Sequence, residues 1–256
     1  MFTGSLSSPH AVGYQNKALN ENFNFVVNTF VPVGKNKDAM TFGDIKPNPE
    51  FINSSIQLLT SGGATATVTV DGLGTVKAIF SYWDEDDASD GAGWYLDADE
   101  DAEYNQNSRV IPFGDGYLVN RPTLETGAAL VYSGEVEAAP ITKNLSEKFN
   151  FFGNCCPRDI TFGDLTPNAS FVNSSIQLLT SGGATATVTV EGLGTVKAVF
   201  SYWEEDDASG GAGWYLDADE DAEYNQNSRI IPAGGGFLVN RPMLETGAAI
   251  TIPAAM

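Results

Sequence analysis

The residues with chemistry to offer are carboxylates. The stretch GWYLDADEDAEYNQNSR, Gly93 to Arg109, places Asp97, Asp99, Asp101 and Glu103 at alternate positions. It returns unchanged from Gly213 to Arg229, with Asp217, Asp219, Asp221 and Glu223 in the same places. On a regular strand these acids would share one face about 6–7 Å apart and repel one another. A loop closed around a cation relieves that repulsion, and D-x-D-x-D is how a calcium loop begins, with hard oxygen ligands. Ala102 stands where a helical calcium hand needs glycine, and Ser108 where it needs a bidentate glutamate, so an EF-hand is excluded. The expectation is therefore a calcium loop of another kind, against the alternative of a solvated acidic turn.

Aromatic residues flank the acids. Tyr82-Trp83 leads into Asp84-Glu85-Asp86-Asp87, and Trp94-Tyr95 leads into the alternating acids; the second copy has Trp203, Trp214 and Tyr215 in these positions. Flat rings beside carboxylates and asparagine suit a sugar, whose apolar face stacks on a ring while its hydroxyls take the polar groups. Trp83, Trp94, Tyr95, Trp203, Trp214 and Tyr215 are thus the candidate ligand contacts, with burial in a core as the alternative.

Most enzyme classes lack their parts. His10 is the only histidine, which leaves a serine or cysteine nucleophile without a base and a catalytic zinc without its imidazoles. No phosphate-cradling glycine pattern occurs, since DGLG and GDG are turn chemistry. Carboxylate pairs remain, as in glycosidases and aspartic proteases. Asp44 and Asp164, in matching T-F-G-D motifs, are the candidate catalytic pair, one from each half of the chain. Their other reading is capping of a turn. The competing function is accordingly a secreted hydrolase of host glycoproteins such as mucin.

These residues sit on a chain written twice. TFGDIKPN at Thr41 returns as TFGDLTPN at Thr161, and SSIQLLTSGGATATVTV at Ser54 returns intact at Ser174. Upstream, KALNENFNFVVNTF aligns with KNLSEKFNFFGNCC, after which the first copy has the longer loop. Units of 1–134 and 135–256 follow, each the size of one domain. Within a unit, TATVTV alternates with period two, TVKAIFSYW is β-branched and aromatic, and DGLG between them reads as a hairpin turn. GYLVNRP and AALVYSGEV are further strands. The predicted fold is all-β: two tandem antiparallel units, sandwich-like or jelly-roll-like, related by duplication. Asp115 faces Gly235 in the alignment, so any role of that carboxylate belongs to one unit only.

Asn24–Asn28, Thr41–Ile45, Gly93–Asp97 and Ile111–Asn120, with their second-unit counterparts, resemble motifs of tandem-repeat secreted or surface proteins of Verrucomicrobia-type bacteria, some of them mucin dwellers. The resemblance implies export and a β-rich unit, and no particular activity. The net charge of -20 agrees with a soluble exported chain, attracts cations, and disfavours direct nucleic-acid binding or an anionic membrane surface. No stretch is apolar enough for insertion into a membrane. A signal peptide removed ahead of Met1 is expected. The adjacent Cys155 and Cys156 cannot make a relaxed disulfide with each other. They are expected as free thiols, or as a link between two chains in a dimer. The role read from the sequence is an exported, acidic, noncatalytic binding or structural module, associated with glycan or glycoprotein and steadied by calcium.

Overall fold

Alternation in TATVTV places Val68 and Val70 against the core and Thr67 and Thr69 in water, and the rest of the chain follows the same β logic. The computed structural model describes residues 12–51, 53–84, 88–122, 127–180, 182–204, 208–241 and 247–254. Among them there is no α-helix, and every pairing between strands is antiparallel. The first unit runs β1 (Val12–Ala18), β2 (Asn22–Val26), β3 (Lys46–Pro47), β4 (Ser55–Gln57), β5 (Thr67–Val70), β6 (Gly74–Lys77), β7 (Ile79–Trp83), β8 (Gly93–Leu96), β9 (Tyr117–Arg121) and β10 (Ala129–Glu135).

A five-stranded sheet has the order β2-β9-β4-β7-β8, and a three-stranded sheet has the order β1-β10-β3. They face each other across one core, where the hydroxyls of Tyr117 on β9 and Tyr132 on β10 meet at 2.7 Å. The second unit repeats the larger sheet as Lys148–Gly153, Gly236–Arg241, Ser175–Gln177, Val199–Trp203 and Gly213–Leu216, in the same order. The duplicated antiparallel fold read from the sequence is thus the fold observed. Strand β10 reaches Glu135, which still pairs with Val12 of the first unit.

Two sequence expectations need their physical detail. DGLG is the hairpin turn between β5 and β6, with Gly72 and Gly74 at φ of 87° and 82°. A Cβ on Gly72 would also collide with the Tyr104 hydroxyl, so this glycine lets the acidic turn dock on the hairpin. TVKAIFSYW is not one strand. It breaks at the buried Ala78, whose N–H donates to Ala66 O at 2.8 Å and whose carbonyl accepts from Leu58 N at 3.1 Å. Those bonds turn the chain from the hairpin into the sheet.

The units meet edge to edge around a local two-fold axis. Val26 bridges Gly235, and its repeat mate Phe152 bridges Asp115. Phe25 stacks on its own counterpart Phe151, with centroids 6.0 Å apart and planes 10° from parallel. Lys143 donates to Phe113 O at 2.7 Å and pairs with Asp115 at 2.7 Å. Lys17, its counterpart, donates to Ala233 O at 3.0 Å, and the position matching Asp115 is Gly235, which has no carboxylate to offer. The asymmetry that the sequence assigns to Asp115 is this ion pair.

Cys155 and Cys156 are free and buried, each about 2% exposed. Burial first, then the neighbouring thiol, pushes Cys155 up to about 12. Burial raises Cys156 as well, and its Sγ donates to Pro253 O at 3.3 Å. A thiol so placed is neither ionised nor within reach of a second chain. In the folded protein, Ellman's reagent should find no reactive thiol over minutes, and two per chain after denaturation in guanidinium. Rapid native labelling would show that the segment opens.

Candidate functional site

The acidic turn is folded by its polar neighbours. After β8, Asp99 turns inward and is 4% exposed. Its carboxylate accepts from Glu103 N at 3.1 Å and Tyr104 N at 2.8 Å, holding Ala102 at φ 48°. Asp97 is exposed and accepts from Ser81 Oγ at 2.7 Å. Asp101 and Glu103 point to solvent. Asp217, Asp219, Asp221 and Glu223 repeat each placement, with Asp219 bound to Glu223 N and Tyr224 N. The alternating acids therefore divide their labour: one caps the turn from inside and the others face water. Among the described residues no three His, Cys, Asp or Glu side chains gather around one point.

The sequence NQNSR that closes the motif carries much of the turn, and reasoning from charge overlooked it. Asn105 Oδ1 accepts from Asn107 N at 2.9 Å, Asn107 Oδ1 accepts from Trp94 N at 3.1 Å, and Gln106 N donates to Trp94 O at 2.8 Å. Gln106 Oε1 holds Arg109 through two bonds of 3.0 and 2.9 Å, setting the guanidinium over Phe80. An asparagine side chain that folds back on the backbone two residues on is a turn signature, and Asn105 in N-Q-N was the available signal.

The candidate aromatic contacts separate into two groups. Trp94, Tyr95, Trp214 and Tyr215 are fully buried, so as ligand contacts they are corrected to core residues. Trp94 Nε1 donates to Ile45 O at 3.1 Å, and its indole meets Phe42, Phe51 and Tyr82 at 5.8, 5.7 and 5.4 Å. Trp83 and Trp203, at the open ends of β7 and its counterpart, are half-buried and rest edge-on against Tyr95 and Tyr215. Of the second acidic cluster, Asp84 and Glu204 are exposed, while residues 85–87 and 205–207 lie outside the described residues, as does His10.

Asp44 and Asp164 close short 3-10 turns. Asp44 Oδ2 accepts from Thr41 N at 2.8 Å and Thr41 Oγ1 at 2.9 Å, and Asp164 does the same for Thr161 at 2.7 and 3.0 Å. Lys35 adds an ion pair to Asp44 at 2.7 Å. Partial burial alone would raise the Asp44 pKa, but the bonds from Lys35 and Thr41 outweigh it and hold the group below its ordinary 3.8. With its pKa lowered, Asp44 is not the carboxyl that a catalytic pair keeps protonated near working pH.

A cleft opens in each unit at the end of β7 or of its counterpart strand. In the second unit it measures about 560 Å³ and is lined by Phe171, Ser174, Tyr202, Trp203 and Glu204 among others. In the first it measures about 220 Å³, with Pro49, Phe51, Tyr82 and Asp84 in the wall. Trp214 forms the platform beneath the larger one, touching Phe171 at 5.6 Å and Tyr202 at 5.4 Å. Tyr202 is 38% exposed, so an aromatic surface reaches solvent beside a carboxylate.

No protein-family model, curated protein or solved structure matches the chain. The site's own geometry carries the functional argument.

Asp99→Ala removes a buried cap with two backbone bonds and should cost about 1–2 kcal/mol in urea unfolding. An unchanged unfolding midpoint would show that the cap is idle. Asp44→Asn should cost about 1 kcal/mol near neutral pH. The folded Asp44 pKa is depressed, so its stabilisation is complete above the unfolded value near 3.8 and fades as pH falls through the lower folded value. The gap between wild type and Asp44→Asn should therefore close in acid, and a gap constant down to pH 2 would refute the assignment.

Proposed function

We propose that this chain is an exported, noncatalytic module that binds glycan through the aromatic cleft at the strand end that carries Trp203. The observation that carries the reading is the constellation at that cleft: a tyrosine and a tryptophan at a strand end, an adjacent acid, and a phenylalanine packed on a buried indole. Rings present an apolar surface, the acid accepts hydroxyl protons, and the rigid platform beneath lowers the ordering cost of binding. The carboxylates offered by the hydrolase reading, Asp44 and Asp164, are already engaged in their turns. The resemblance to surface proteins of mucin dwellers supports mucin glycans as the natural class of ligand, and the acidic charge supports an extracellular setting.

Calcium enters this proposal through the solvent-facing Asp97, Asp101 and Glu103 and their second-unit copies, on a chain of net charge -20. A cation taken up there binds the folded state and raises its stability by mass action. Several millimolar calcium should raise the melting temperature and EDTA should return it. A melting temperature indifferent to both removes calcium from the reading.

A glycan array probed with the labelled chain tests the main proposal. Binding should be seen, and Trp203→Ala should weaken it at least about tenfold, the scale of about 1.4 kcal/mol for a lost stacking partner. A silent array at micromolar protein would leave the fold without this function.

A further inference from the structure

The two units are near copies, yet their clefts are not equivalent. We infer that the chain has a single working glycan site, in the second unit, and that it selects neutral pyranoses; this rests on the glycan reading above. Small-molecule sites in proteins occupy roughly 300–1,000 Å³. The second-unit cleft, at about 560 Å³, falls inside that range, and the first-unit cleft, at about 220 Å³, falls below it. At the lip, Pro49 of the first unit is replaced by Ala169, so a methyl stands where a ring fills space. Ala169 also opens a 3-10 turn, Ala169–Phe171, that presents Phe171 to the cleft. Asp84 gives way to the longer Glu204.

A second, independent feature points to a ligand. Ser174 lines the cleft and is 2% exposed, and its Oγ has no hydrogen-bond partner. A buried hydroxyl with no partner in the protein is an open hydrogen-bonding group that water or a ligand can take. Neighbouring polar groups are already committed. Asn168 bonds Gly247 O at 2.7 Å and Ala249 N at 2.9 Å, and Ser201 Oγ bonds Asp217 at 2.7 Å. Ser174 Oγ, the Tyr202 hydroxyl and the Glu204 carboxylate are then the groups that can read a ligand. One sugar ring fits this set: its apolar face lies on Tyr202 or Trp203, and its hydroxyls meet Ser174 and Glu204. Glu204 and the acidic surface repel an anion, so sialylated and sulfated sugars are disfavoured.

The test is calorimetric titration of the whole chain with a panel of neutral mono- to tetrasaccharides and their sialylated forms. Neutral sugar should bind with a stoichiometry of one. Trp203→Ala should lose at least about tenfold in affinity and Ser174→Ala about threefold to tenfold, whereas Trp83→Ala, at the matched position, should leave binding unchanged. Ala169→Pro, which rebuilds the lip of the first unit, should weaken binding, with circular dichroism confirming the fold. Two sites per chain, equal losses in Trp83→Ala and Trp203→Ala, or a preference for sialylated sugar would overturn this inference and leave the glycan reading standing. Absence of heat with every member of the panel would overturn both.

Discussion

Each unit depends on one buried indole. Trp94 and Trp214 have no exposed surface, and each donates its N–H to the carbonyl that follows the T-F-G-D turn, Ile45 O and Leu165 O. A large aromatic can be buried this way only if its polar atom finds a partner, and here the partner lies 49 residues upstream. That bond ties the strand before the acidic turn to the short 3-10 turn capped by Asp44 or Asp164. The same rings then hold Phe42, Phe51 and Tyr82, or Phe162, Phe171 and Tyr202. Acidic turn, capped turn and cleft floor are thus positioned by a single side chain per unit.

Local signals in the sequence found what local forces decide. Period-two alternation placed β5, Gly and Pro boundaries placed β9 and β10, and the glycines of DGLG placed the hairpin turn, because pleat and positive φ are properties of a few consecutive residues. The break at Ala78 was invisible, because it depends on bonds to Ala66 and Leu58. The acids were conspicuous by charge, but charge alone does not distinguish Asp99, drawn inward by two backbone N–H groups, from Asp101, which faces water. Trp83 and Trp94 read alike beside acids. Only the pairing of Trp94 with Tyr82 on the inner face of the sheet made one of them core and left the other at a strand end.

Two duplicated units invite a pseudo-symmetric pair, but the residues of the two-fold seam between them could not be read. Its contacts join positions offset by 126 residues in the strand Asn22–Val26 and by 120 in the segment around Asp115 and Gly235, because the longer loop of the first copy intervenes. The internal repeat nevertheless made the seam intelligible once observed. Two units that share an edge contact satisfy it twice, and each improvement to one half is free to differ in the other, as the Lys143–Asp115 ion pair does.

Divergence in the cores shows how such freedom is bounded. In the first unit, Tyr117 donates to Asn28 at 2.8 Å and meets the Tyr132 hydroxyl at 2.7 Å, while the Asn28 amide reaches Met40 Sδ at 3.0 Å. In the second, the corresponding positions are Phe237, Ile252 and Ile160, and Asn154 turns its amide to Arg158 O and Ile231 O instead. Replacing one tyrosine alone would leave a buried hydroxyl or carbonyl unpaired, at a cost of about 1–3 kcal/mol, whereas replacing the set is nearly neutral. The two units differ by the whole exchange: three hydrogen-bonding side chains in the first stand against three apolar ones in the second, whose asparagine bonds backbone carbonyls instead. A duplicated fold can therefore diverge in its interior only by coupled steps, while a cleft at its surface, bordered by Pro49 or Ala169 and by Asp84 or Glu204, changes one residue at a time. New binding character arises most readily at that rim, where the two units already differ.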